Sequence, residues 1–275
     1  MNNDILNKSL SRAMGGGISG FSAMFIQVSS LMWLRTTMNY QYSNGGAFKN
    51  TISKLYKEGG IKRFYKGYPP AIIIGPLARF GDTAANSFAT SYLEQYNQPL
   101  YIQTLFGSTL AASWRISLMP LDTLKTTLQV HGNNGLKNLK FKVNNNGIRG
   151  LYHGSLANMS ATFVGHYPWF FTYNYLNNYL PKYEENYKNI IRNGFIGFNA
   201  AVISDCSSNS LRVIKTSKQT DVNSNNYRNT IKNIINKDGY YGLFGRGLKT
   251  RVLTNGLQGI IFNITWKYME KEYYK

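Results

Sequence analysis

Weakly apolar stretches rich in Gly, Ser and aromatic residues alternate along the chain with polar segments punctuated by Gly and Asn. The pattern predicts long helices joined by loops that carry short amphipathic helices. Gly15 to Asn39 reads as the first long helix, Asn44-Gly45-Gly46 as a breaker, and Ala47 to Glu58 as a short helix with Phe48, Ile52 and Leu55 on one face. Later loops carry His131-Gly132-Asn133-Asn134-Gly135 and Asn223-Ser224-Asn225-Asn226, and Tyr227 to Lys237 repeats the short-helix pattern with Ile231, Ile234 and Ile235.

This pattern recurs three times. Gly17, Gly107 and Gly194 each stand 18 residues before a base, Arg35, Lys125 and Arg212. A glycine and aromatic signal follows each base by roughly thirty positions: Gly59-Gly60-Ile61-Lys62-Arg63-Phe64-Tyr65-Lys66-Gly67, Asn146-Gly147-Ile148-Arg149-Gly150-Leu151-Tyr152-His153-Gly154, and Asp238-Gly239-Tyr240-Tyr241-Gly242-Leu243-Phe244-Gly245-Arg246-Gly247. The chain divides into repeats 1–96, 97–184 and 185–275 of a single domain. Gly17, Gly107 and Gly194 are expected at helix contacts, where small residues let membrane helices approach.

Composition narrows the function classes. Thirty-one Lys and Arg against 12 Asp and Glu give a formal charge of +19 over 275 residues, an excess that calls for an anionic partner such as nucleic acid, anionic lipid or an anionic solute. One cysteine excludes an internal disulfide framework, and three scattered histidines speak against a metal centre. No cofactor is expected. No run of 18 uncharged apolar residues occurs and mean hydropathy is -0.31. Weakly apolar helices still span a membrane when each turns a polar face to a water-filled cavity. Met1 to Gly17 shows neither a secretory signal nor a typical transit peptide. Loops 39–66, 130–153 and 217–249 hold 16 Lys and Arg, whereas 92–100 and 180–189 hold two beside three Glu. The positive-inside rule puts the long loops on the matrix-like side and both termini on the other.

Pro120-Leu121-Asp122-Thr123-Leu124-Lys125, followed by Gln129, resembles the Pro-x-Asp/Glu-x-x-Lys/Arg signature of the mitochondrial carrier family, and the threefold period extends the resemblance over the whole chain. The family implies an all-α membrane protein with six transmembrane helices in three repeats of about 90 residues, three short matrix-side helices, a central solute cavity and two alternating gates. It implies a carrier of the mitochondrial inner membrane, multi-pass, monomeric and not an enzyme, with both termini in the intermembrane space. The matrix-gate set is Arg35, Asp122, Lys125, Gln129 and Arg212. The repeats align with Ser30 and Ser207 at the proline position, Met32 and Asn209 at the acid position, Arg35 and Arg212 at the base position, and Asn39 and Thr216 at the glutamine position. That alignment leaves one gate pair, Asp122 with Arg212, and a net positive cavity floor. At the opposite gate the corresponding residues are Asn174, Asn177, Lys267 and Glu270, nearly uncharged and reversed in the last copy.

The resemblance implies solute contacts about seven residues after the glycine that closes each second signature, which fall at Ile74 and Gly75, Ala161 and Thr162, and Thr254 and Asn255, with Arg79, His166 and Arg251 about one turn away. Converging cations would draw in an anion. Arg79 has a second reading as a helix tie countered by Asp82, and His166 one as a structural hydrogen-bonding residue. Lys66, Gly67, Gly154 and Gly247 are the expected lipid contacts, for cardiolipin in the family. No Gly-x-Ser-x-Gly, phosphate loop or other catalytic frame accompanies these residues. The sequence thus reads as a carrier of a small, anionic metabolite. The rival readings are a carrier-derived insertase, receptor or scaffold without transport, and a soluble nucleic-acid binder, against which the one-sided loops argue.

Overall fold

The computed structural model describes residues 17–183, 186–223 and 225–273, with 17–23, 100, 186 and 262–273 described as backbone alone. The elements are α1 (Gly17–Asn44), α2 (Phe48–Phe64), α3 (Tyr68–Glu94), α4 (Leu100–Ser117), α5 (Met119–His131), α6 (Gly135–Asn146), α7 (Ser155–Tyr179), α8 (Asn186–Thr220), α9 (Tyr227–Gly245) and α10 (Leu248–Tyr273), with 3-10 turns at Gly132–Asn134 and Gly147–Tyr152. Among the described residues there is no strand.

The long helices form a closed ring. In order, α1 packs on α3, α3 on α4, α4 on α7, α7 on α8, α8 on α10, and α10 back on α1. At the end that carries the polar loops, α1, α5 and α8 also pack on one another and close the ring's floor. Proline explains one local difference. Pro120 has no N–H to bond the carbonyl of Ile116, so the second odd helix breaks into α4 and α5 around Leu118, whereas α1 and α8 run unbroken through the equivalent turn. Glycines at positive φ kink α2 and α9 and close α6, Gly60 at φ 59°, Gly239 at φ 66° and Gly147 at φ 62°, positions that a side chain would strain.

Polar groups lie inside and large apolar groups outside. Gln27, Thr36, Thr123, Gln129, Ser208, Asn209 and Gln219 are buried, while Phe163, Tyr167, Phe171, Tyr175, Phe195 and Ile203 are exposed. Water around such a surface would be disfavoured, and lipid would not. Among the described residues no helix is long and apolar enough to cross a membrane by hydropathy, because the inward polar faces dilute the outer ones.

Buried cations tie each repeat to the next. Arg63 donates to the carbonyls of Gln129 and Val130 (both 2.8 Å), Lys142 to those of Lys218 and Gln219 (3.0 and 2.8 Å), and Arg246 to that of Ser43 (3.2 Å). All three meet carbonyls in the last turn of an odd helix, where the helix dipole favours positive charge. Arg63 and Arg246 carry carboxylate partners, Glu58 and Asp238, while burial pushes the Lys142 ammonium down to about 8. Of the expected packing glycines, Gly107 sits against Ala89 and Asn86, but Gly194 has open space where a Cβ would be, so a small residue is not required there. The side-chain surroundings of Gly17 lie outside the described residues.

Candidate solute cavity

The ring encloses a cavity of about 370 Å³ above the floor. Ile74, Gly75, Arg79, Arg251, Thr254 and Asn255 line it, as expected, and so do Arg35, Asp122, Lys125, Gln129 and Arg212 below them. Ala161, Thr162 and His166 are not among the lining residues. Their helix, α7, presents Asn158 instead, one turn toward the floor. Ala161 and Thr162 are buried, with the Thr162 hydroxyl spent on the Asn158 carbonyl (3.0 Å). His166 shares a hydrogen bond with Ser108 of α4 (2.8 Å from Nδ1), the kind of contact its structural reading expects. A shift of one turn keeps a residue near the same helix face while moving it from the cavity into a helix contact, as Asn158 and Thr162 show.

The floor corrects the repeat register. A Cβ on Gly67 would meet the carbonyl of Lys125 at 2.8 Å, one on Gly154 that of Lys215 at 2.9 Å, and one on Gly247 that of Met38 at 3.3 Å. These three backbone positions are therefore equivalent. The hydroxyls of Thr36 and Thr123 confirm the frame, each donating at 2.6 Å to a carbonyl 28 residues on, Phe64 and Leu151. The proline position thus holds Trp33, Pro120 and Ser210, the acid position Arg35, Asp122 and Arg212, the base position Met38, Lys125 and Lys215, and the glutamine position Tyr42, Gln129 and Gln219. Ser30, Met32, Asn39, Ser207, Asn209 and Thr216 do not occupy these positions.

The expected pair of Asp122 with Arg212 is accordingly absent. Asp122 binds Lys215 across the helix interface at 2.6 Å and Lys125 in its own helix at 2.5 Å, and it accepts a third hydrogen bond from Gln219 Nε2 at 3.0 Å. Arg212 sits one turn farther from the loop and donates to Ser208 (3.1 Å). Lys215 and Gln219 escaped the sequence reading because an equal glycine-to-base spacing favoured Arg212. The shared Leu-x-x-x-Lys-Thr-x-x-Gln of Leu121 to Gln129 and Leu211 to Gln219 carries the right register. Gln129 bonds Asn39 (2.6 Å), linking α1 to α5.

Higher on the wall, Arg115 grips Asp82 through two bonds of 2.5 and 3.1 Å, and Asp205 is held by Arg251 at 2.5 Å and by Asn255. These charge-assisted pairs fix the wall geometry. At the far end Asn177 accepts from Arg192 (3.0 Å), whose other guanidinium nitrogen donates to the carbonyls of Asn177 and Leu180. Asn177 thereby joins α7 to α8. Asn174 is half-buried, and the side chains of Lys267 and Glu270 lie outside the described residues.

Gly67 and Gly154 are the caps of α3 and α7, at φ 83° and 90°, and Gly247, at φ 65°, precedes α10. The three helix starts differ in chemistry. Pro69 and Pro70 remove two N–H donors from the first turn of α3, beside half-buried Lys66. At the second, burial pushes the His153 imidazole down to about 4, so it carries no charge at neutral pH.

The mitochondrial carrier protein family model matches this chain three times, at residues 7–97, 96–184 and 186–275. Among curated proteins, the mitochondrial RNA-splicing protein MRS3 of Saccharomyces cerevisiae is 30% identical over 95 residues, 34% of this chain and 30% of that protein. The matched segment thus spans under a third of that relative's length. Members of the matched family are transporters rather than enzymes. With three successive matches over nearly its whole length and a ring of helices folded about one cavity, the chain belongs to the mitochondrial carrier family.

Proposed function

We propose that the protein carries a small anionic metabolite across the mitochondrial inner membrane, with six helices spanning it and the cavity opening alternately to either side. One observation carries the charge assignment. Seven cations line the cavity, Arg35, Arg79, Arg115, Lys125, Arg212, Lys215 and Arg251, against two carboxylates, Asp82 and Asp122. A narrow cavity with that excess concentrates anions and repels cations. In proteoliposomes, uptake of anions is expected to fall as ionic strength rises, and Arg79→Ala to abolish it while Lys182→Ala, in a joining loop, leaves it intact. Uptake of a neutral or cationic solute that survives Arg79→Ala would overturn the assignment.

The basic loops support an orientation in which they face the matrix and both termini face the intermembrane space. Protease added to mitoplasts is then expected to cut near residues 92–100 and to spare 130–153; preferential cutting at 130–153 would reverse the topology. The helix starts at Gly67, Gly154 and Gly247 support binding of an anionic lipid such as cardiolipin from the matrix side, with unequal sites, since the first has two amide donors fewer and the second lacks a cation. A second reading, a carrier-derived insertase, receptor or scaffold, draws support from the floor's having, among the described residues, one ion pair that crosses between odd helices. It differs from the first in expecting no uptake of any solute.

A further inference from the structure

Threefold equivalence turns the floor into a specific electrostatic problem. Asp122 at the second acid position meets Lys215 at the third base position. The same rule sets Arg35, at the first acid position, toward Lys125, and Arg212, at the third, toward Met38. The first of these is a meeting of like charges and the second has no ionic partner at all. Lys125 accordingly turns to Asp122 in its own helix. Arg35 spends a guanidinium donor on the Gln258 side chain (3.1 Å) and Arg212 one on Ser208 (3.1 Å). Among the described residues neither has a carboxylate within ion-pair distance, and both line the cavity. Each guanidinium carries five N–H donors, of which the described residues engage one in Arg35 and one in Arg212.

We infer that Arg35 and Arg212 each receive one oxyanion group of the transported solute, so that the floor is neutralised by a solute with at least two anionic groups instead of by carboxylates of the chain. This rests on the transport reading above and narrows it. Guanidinium forks match phosphate and carboxylate geometry through paired N–H···O bonds, and desolvated cations without a carboxylate in ion-pair contact favour a ligand that brings its own. A monoanion satisfies only one of the two positions. The inferred site lies below the Ile74, Asn158 and Thr254 level of the wall, on the odd helices that close the floor, which couples solute occupancy to the stability of the closed floor.

The test is thermal unfolding of the purified full-length protein with pyrophosphate, citrate or acetate, each against sodium chloride at equal ionic strength. Pyrophosphate or citrate is expected to raise the unfolding temperature by about 3 °C or more and acetate by under about 1 °C, since stabilisation follows site occupancy. A larger shift with pyrophosphate assigns phosphate-type groups and a larger one with citrate assigns carboxylates. Arg35→Gln and Arg212→Gln should each remove at least half of the shift. Arg35→Asp should abolish it and yet raise the unfolding temperature of the ligand-free protein, because the new carboxylate faces Lys125. Equal shifts with acetate, no shift with either polyanion, or a shift that survives both Gln substitutions would overturn the inference. Uptake in proteoliposomes separates the two readings: uptake with no polyanion shift leaves transport and removes this site, whereas a polyanion shift without uptake leaves the site and removes transport.

Discussion

Replacing Asp122 with alanine is expected to produce the largest loss of any single substitution in the floor. The carboxylate holds two ammonium groups at 2.5 and 2.6 Å and accepts from Gln219, all in surroundings where Asp122, Lys125 and Lys215 are mostly shielded from solvent. Its removal leaves four cations in the lower cavity, Arg35, Lys125, Arg212 and Lys215, with no carboxylate in ion-pair contact among the described residues. Breaking a buried pair by deleting one partner typically destabilises by about 3–5 kcal/mol, because the remaining charge stays desolvated. The unfolding temperature should fall by several degrees and uptake by at least tenfold, an estimate that follows from about 1.4 kcal/mol per decade. Lys215→Met should be milder, since Asp122 then keeps Lys125. Arg212→Ala should not reproduce the Asp122 defect, because Arg212 is not the partner of that carboxylate. If Arg212→Ala and Asp122→Ala lowered the unfolding temperature equally, the corrected register would be wrong.

That correction also shows where sequence reading reaches its limit. Long helices, breakers at Asn44 to Gly46, and short helices kinked or closed at Gly60, Gly147 and Gly239 were legible because backbone punctuation is local: a glycine at positive φ or a proline inside a helix announces itself wherever it stands. The cavity was legible as a level but not residue by residue. Arg79, Arg251, Ile74 and Thr254 arrive on its wall, while Ala161, Thr162 and His166 turn into helix contacts. A helix repeats its face after three or four residues, so an error of one turn preserves periodicity and charge pattern while exchanging Asn158 for Thr162, or Lys215 for Arg212. Only tertiary contacts decide between such registers. The glycines do so here, because Gly67, Gly154 and Gly247 each press on the backbone of an odd helix at one equivalent place.

The consequence of that pressure is the second large effect. Gly154 adopts φ 90° at the start of α7, and a Cβ there would lie 2.9 Å from the carbonyl oxygen of Lys215 and 3.1 Å from Gln219 Cγ. Gly147, seven residues earlier, has φ 62° with open space where its Cβ would stand. Alanine costs about 1–2 kcal/mol at Gly154, a left-handed residue with ψ 0°, and about 1–3 kcal/mol at Gly147, whose ψ of -162° lies outside that well. Only Gly154→Ala adds overpacking, about 1–3 kcal/mol when a well-packed contact must shift. The atom in the way is backbone, so relief requires α7 to move away from α8, which displaces Lys215 and Gln219 from Asp122 and opens the retained floor pair. Gly154→Ala is therefore expected to lower the unfolding temperature more than Gly147→Ala and to depress uptake as Lys215→Met does, while Gly147→Ala leaves uptake near that of the unmodified protein. Measured side by side, equal unfolding temperatures for the two variants would show that the close approach of α7 to Lys215 does not hold the floor together.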